Sequence, residues 1–395
     1  MTDALQNAER LAERIAGRAG RYDQDAAFPQ QDIDELREEG FLGLMVPTRL
    51  GGMGAGFEEY VRVAAALARG NPSTALIFNM HASVTGGLAS ISDELARGLG
   101  AGDGFLTARD RILHAAVEGS MYGVAITESQ AGSRLSALRC TYEREGGGFR
   151  IRGTKSFCSG AGHLDAYLVA ARREGSTDDA PVISYFLVPA GAGIRVNRTW
   201  NPLGMRATAS NGLELDAWVA DQALLGGVEG LVLPLAYGMP QWLVASYAAV
   251  YVGLAEAAVG QGIAYLRERR VAGDRGGLAR LATVRQRVGR AEADAQAARL
   301  VLERAARLVD LRPGDPETNR WTYRAKLLAG DVAWRVSATV GEACGLGALQ
   351  RGGPLERILR DARSGAIMPP SSDVAGDYLG ALALGVEDPE GVRPW

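Results

Sequence analysis

The spacing of apolar residues along this chain changes period twice, and that change constrains the fold more than any single motif. From residue 1 to about 117 the period is helical. Leu5, Ala8, Leu11, Ala12 and Ile15 share one helical face, and Ile33 and Leu36 lead to Gly40 as a C-cap. Gly51 to Gly56 reads as a turn before a helix from Phe57, without the lysine or strand-loop-helix spacing of a phosphate loop. Asn71-Pro72-Ser73 ends one helix and starts another over 74–85, which carries His81.

Residues 118–221 change to period two with glycine punctuation. Cys140 and Tyr142 alternate with charged neighbours, Gly146-Gly147-Gly148 makes a turn, and Phe149 and Ile151 resume the alternation. Further strands are predicted over 166–171, 182–188 and 194–196, with a closing strand through Leu213, Leu215 and Val219. From about residue 231 the period is helical again, over 242–270, 278–311, 318–345 and 355–362. The resulting expectation is an α+β protein: helical domain 1–117, central β-barrel or sandwich 118–221, and C-terminal four-helix bundle 222–395. The lack of βαβ alternation excludes a Rossmann fold.

The function classes narrow by elimination. A net charge of −3 over 395 residues leaves no electrostatic footprint for nucleic acid or an anionic membrane. No apolar run approaches a bilayer span, and residues 1–20 mix charged with apolar residues, so the expected location is the cytoplasm. Cys140, Cys158 and Cys344 have no disulfide or zinc spacing, and His81, His114 and His163 are the only histidines. An organic cofactor is therefore expected to carry any chemistry.

Residues 121–161 are where such a cofactor is expected. An apolar run from Tyr122 breaks at Ile126-Thr127-Glu128 into a loop ending Gly132-Ser133. A second strand, Gly153-Thr154-Lys155-Ser156-Phe157-Cys158-Ser159, stops at Gly160. If that strand is regular, Phe157 and Ser159 share a face. By themselves these are ordinary core and turn residues. Together the two segments resemble the flavin-binding middle domain of the acyl-CoA dehydrogenase superfamily, and the resemblance runs from about residue 25 to about 385.

The resemblance implies a flavoprotein with the three domains above, assembled as a homotetramer. It also implies a carboxylate base, and both family positions for one are empty. After Arg360-Asp361-Ala362-Arg363 the base position falls on Pro369, and the alternative position, in Pro240-Gln241-Trp242-Leu243-Val244, has no acid. A displaced Asp373 or Asp377 is the remaining way to be an acyl-CoA or acyl-carrier-protein dehydrogenase.

Phe157-Cys158-Ser159-Gly160-Ala161-Gly162-His163 is similar instead to the superfamily's two-component monooxygenases. That branch takes reduced flavin from a separate reductase, uses O2 as co-substrate and hydroxylates small substrates, here expected to be indole- or phenol-like. The roles implied are Ser159 at flavin N5, Ile126 and Thr127 at the pyrimidine edge, Phe157 against the ring, Ser133 near the phosphates, and His81 or His163 in proton transfer. Met239, Trp242 and Tyr247 are candidates for an aromatic substrate pocket. Arg134, Glu342 and the segment 270–273 depart from the pattern that holds the adenine half of FAD, so FMN stays open beside FAD.

Overall fold

The structure is a computed structural model that describes residues 2–132, 134–269 and 277–386. Six helices come first: α1 (Thr2–Asp25), α2 (Gln30–Glu38), α3 (Phe57–Gly70), α4 (Pro72–Ala89), α5 (Asp93–Gly98) and α6 (Asp103–Val117). Gly40 adopts φ +78° just beyond α2, where the sequence called for a cap. Asn71 caps α4 by accepting the Ser73 N–H at 3.1 Å, with Pro72 in the first turn. α4 is buried on nearly every side, including His81, because its sequence is apolar all round.

Seven strands follow: β1 (Tyr122–Ala125), β2 (Thr141–Glu145), β3 (Gly148–Cys158), β4 (Ala166–Arg173), β5 (Ile183–Pro189), β6 (Ile194–Asn197) and β7 (Asn211–Ala220). The central β-domain expected from the sequence is built as one curled seven-stranded sheet. β1 and β2 pair parallel with opposite ends of β4, and β5 covers the other edge of β4 antiparallel. β2, β3, β7 and β6 continue as antiparallel neighbours. Phe149, Ile151, Phe186 and Leu213 lie fully buried in it.

The C-terminal part contains α7 (Val232–Gly238), α8 (Ala245–Glu268), α9 (Ala282–Leu311), α10 (Pro316–Cys344), α11 (Pro354–Ala362), α12 (Ser364–Ile367) and α13 (Ser372–Leu384). The bundle is thus extended by α7 and α13 beyond the four helices expected. The stretch 240–268 is also long and apolar enough to cross a membrane, contrary to expectation, but 78% of its apolar window is buried inside the protein. α8 crosses α3 so closely that a Cβ on Gly253 would stand 2.2 Å from the Ala65 carbonyl. Asp310 of α9 joins the two helical domains, accepting the Phe57 and Glu58 N–H groups at the start of α3 at 2.7 and 2.8 Å.

Candidate flavin cleft and adjoining chamber

Where the sheet meets α4, α8 and α12 there is a cleft of about 470 Å³. One wall is built by a buried ion pair. The Glu128 carboxylate accepts Lys155 Nζ at 2.7 Å and the N–H groups of Arg139 and Cys140 at 2.7 and 3.0 Å. Lys155 also donates to the Ile126 carbonyl at 3.2 Å, and the Ser156 N–H to the Thr127 carbonyl at 2.8 Å. The loop after β1 is therefore held beside the end of β3, and Ile126, Thr127, Ser156 and Phe157 line the cleft together.

Phe157 does not continue a regular strand as expected. The β3–β7 register shifts between Lys155 and Cys158, and Phe157 sits at φ +58°. That conformation costs an aromatic residue about 1–3 kcal/mol, and it leaves the ring 63% exposed on the cleft, edge-on to Trp200 at 6.2 Å. Ser159 still lines the cleft, because the bulge re-aims the chain.

Beside it lies a hydroxyl cluster that sequence spacing did not reveal, with Thr208 and Ser210 also on the lining of the cleft. Ser159 Oγ is 3.0 Å from Ser210 Oγ, and Ser210 Oγ is 2.7 Å from Thr208 Oγ1. The turn carrying Thr208 has positive φ at Met205 and Ala209, and it is tied to α11 by Asp361, which accepts the Met205 N–H at 2.5 Å. Burial pushes the Asp361 carboxyl up to about 6, against the lowering effect of that N–H. Arg360 extends the tie to α1 by a bidentate pair with Asp23 at 2.6 and 3.0 Å. On the opposite side, buried Lys326 donates to the Gly365 carbonyl at 3.0 Å and holds α12, whose Ser364 and Ile367 line the cleft.

Three family models match this architecture: the acyl-CoA dehydrogenase N-terminal domain over 4–95, its middle domain over 123–218 and its C-terminal domain over 244–381. The chain belongs to the acyl-CoA dehydrogenase family. It is 29% identical over 381 residues to the putative acyl-CoA dehydrogenase YdbM of Bacillus subtilis, covering 95% of each chain. Among solved structures it is similar to FMN-bound TdsC from Paenibacillus sp. A11-2, with TM-score 0.85, 24% identity and 98% of each chain covered. It is also similar to the methanesulfinate monooxygenase MsuC from Pseudomonas fluorescens, with TM-score 0.84, 25% identity, and 98% and 97% covered. The family makes this chain a flavin oxidoreductase by kinship, with both dehydrogenases and monooxygenases among its relatives.

The cleft fits the family's flavin on its own geometry. An exposed aromatic face held in a strained backbone, with hydroxyls at Thr127, Ser156 and Ser159 around it, suits a flat ring with polar edges. Beyond Val124, Ile126, Leu243 and Tyr247, which line both spaces, a second chamber of about 120 Å³ opens between α4, β4, β5 and α7. Met239, Trp242 and Tyr247, expected around a substrate, all line it. Among the described residues, no Asp, Glu, His, Lys or Arg lines either space.

Neither space thus offers a carboxylate among the described residues, at the position where the resemblance places a base or elsewhere. Pro369 lines the cleft, while Asp373 and Asp377 are exposed on α13 and line neither space. Proton transfer by histidine has no geometric support either. His81 donates from Nε2 to the Leu42 carbonyl at 2.8 Å and accepts the Tyr122 N–H on Nδ1 at 3.1 Å, so both ring nitrogens are engaged by backbone. Burial lowers its pKa to about 4. His163 is exposed and stacked on Phe28 at 4.1 Å, and it lines neither space. Ser133 and the segment 270–273 lie outside the described residues.

Proposed function

We propose that this chain is a reduced-flavin-dependent monooxygenase of the two-component type, acting on a compact, neutral, aromatic or heteroaromatic substrate. The observation that carries this reading is the chemistry of the lining. Removing a proton beside a thioester carbonyl requires a positioned base, and among the described residues neither space contains a carboxylate or an imidazole. Tyr247, which lines both, is pushed up to about 12 by burial and stays protonated. MsuC supports the same direction as a monooxygenase of the same fold at 25% identity.

In this reading Ile126 and Thr127 would hold the pyrimidine edge of the ring, Phe157 would pack against its face, and Ser159 would serve N5. A flavin held there and supplied reduced by a separate flavin reductase would furnish the two electrons for activation of O2, one oxygen atom of which goes to the substrate and the other to water. FMN, as in TdsC, is as compatible with these contacts as FAD, because every contact named is to the ring system. The protein's own part is to orient the ring, exclude water and hold the substrate next to it.

The chamber is close in size to the ~150 Å³ dry cavity known to admit one benzene ring, and its apolar walls favour an uncharged molecule. Met239, Trp242 and Tyr247 would contact it. For the assembly, the homotetramer implied by the family resemblance is our reading.

The test is anaerobic mixing of flavin-loaded protein with a series of acyl-CoA thioesters. The flavin absorbance should be unchanged. The same protein supplied with a flavin reductase, O2 and single-ring or indole-sized aromatics should release oxygenated product. Bleaching of the flavin by a thioester would establish the dehydrogenase instead.

A further inference from the structure

The hydroxyl cluster beside Ser159 has a direction. Thr208 Oγ1 lies 2.9 Å from the Met205 carbonyl oxygen, 2.7 Å from Ser210 Oγ, and Ser210 Oγ 3.0 Å from Ser159 Oγ. A hydroxyl carries one hydrogen and a carbonyl oxygen none. The Met205 carbonyl therefore takes the hydrogen of Thr208. Thr208 must then accept from Ser210, and Ser210 from Ser159. With its one hydrogen engaged by Ser210, which also borders the cleft, Ser159 has only lone pairs left to present to the cleft.

We infer that Thr208 and Ser210 fix Ser159 as a hydrogen-bond acceptor, so that the cleft favours a flavin bearing hydrogen on N5, the reduced ring, over the oxidised ring. This rests on the proposed place of Ser159 beside N5. Two-electron reduction adds a hydrogen to N5 and turns a lone-pair acceptor into a donor. Against Ser159 the reduced ring makes a hydrogen bond, whereas the oxidised ring sets lone pair against lone pair.

Reversing the line would leave Thr208 Oγ1 and the Met205 oxygen 2.9 Å apart with no hydrogen between them. Water cannot relieve that contact readily, since Thr208 is 0% and Ser210 5% exposed. The Met205 carbonyl also accepts the Thr208 N–H at 3.2 Å and Trp200 Nε1 at 3.4 Å, longer bonds that do not replace the hydroxyl at 2.9 Å. Thr208 and Ser210 are thus positioning residues acting through Ser159. A protein that receives flavin already reduced and must let the oxidised form go would be served by this polarity.

The experiment is an anaerobic titration of the purified protein with FMN and FAD, oxidised and dithionite-reduced. Fluorescence reads the oxidised form and equilibrium dialysis the reduced form. In the wild type the reduced flavin should bind about tenfold more tightly or better, the worth of one neutral hydrogen bond at a dry site. For a two-electron couple, tenfold raises the midpoint potential of the bound flavin by about 30 mV over free flavin.

Thr208→Val keeps the side-chain shape and removes the hydroxyl that sets the direction. Ser210→Ala removes the acceptor of the Ser159 hydrogen. Each should shrink the preference by about that tenfold factor, whereas Thr208→Ser, which can still donate to Met205, should retain it. Equal affinities in the wild type, or a ratio unmoved in both Thr208→Val and Ser210→Ala, would overturn the inference and leave the flavin reading standing. Binding of neither redox form would overturn both.

Discussion

His81 shows how a residue's partners decide its chemistry. A histidine on the helix beside a flavin cleft is a natural candidate for proton transfer, but His81 is buried off the lining, both ring nitrogens are hydrogen-bonded to backbone, and the imidazole is stacked near Tyr122 at 5.5 Å. Its role is to hold the start of β1 against the turn around Leu42. Because its folded pKa of about 4 lies below the unfolded value of 6.5, the unfolded chain binds the extra proton between those values. The stability it confers is complete above pH 6.5 and is lost as pH falls towards 4, on the order of 3 kcal/mol in all. Asp361, raised to about 6, acts in the opposite sense between its unfolded 3.8 and that value. The expected result is therefore differential. Between pH 6.5 and 4 the wild type should lose more stability than His81→Gln, measured by urea unfolding at each pH, and parallel pH profiles would remove the assignment.

At the level of elements, the cleft depends on a β1 loop and a β3 end that do not hold each other by a regular ladder. The Glu128–Lys155 pair does this, with side chains 5% and 0% exposed. Removing one member of such a pair leaves a buried charge without its partner, which costs about 3–5 kcal/mol, whereas removing both charges costs much less. Lys155→Met should accordingly destabilise the protein by about that amount and weaken flavin binding, since Ile126 and Phe157 lose their common support. Lys155→Met combined with Glu128→Gln should recover part of the stability. Denaturant unfolding of the two singles and the double gives the coupling, and simple additivity would show that the pair is not what joins the segments.

Across the whole molecule, the three domains are joined by side chains far apart in sequence. Asp310 caps α3 from the bundle, Arg360 reaches Asp23 of α1, and Asp361 reaches the turn at Met205. The first joint lies outside the lining of the cleft and the chamber, so it separates stability from binding. Asp310→Ala should lower unfolding free energy by about 1–2 kcal/mol, the value of a helix cap, with flavin affinity unchanged. A parallel fall in flavin affinity would mean that the helical domains and the cleft move as one unit.

The amino-acid sequence alone determined the order of helical, strand and helical domains, because the periods 3.6 and 2 are properties of neighbouring residues. It also showed Pro369, and no acid in 240–244, where the resemblance places a base. The cleft residues Ile126, Thr127, Phe157 and Ser159 were legible through a motif whose spacing the fold preserves. Only the tertiary structure decided that the strand breaks at Phe157, that Ser159 meets Ser210 across 51 positions, and that His81 is engaged on both nitrogens. A bulge, a left-handed turn and a hydroxyl's direction depend on register and on partners brought together by folding, and local periodicity carries no record of them.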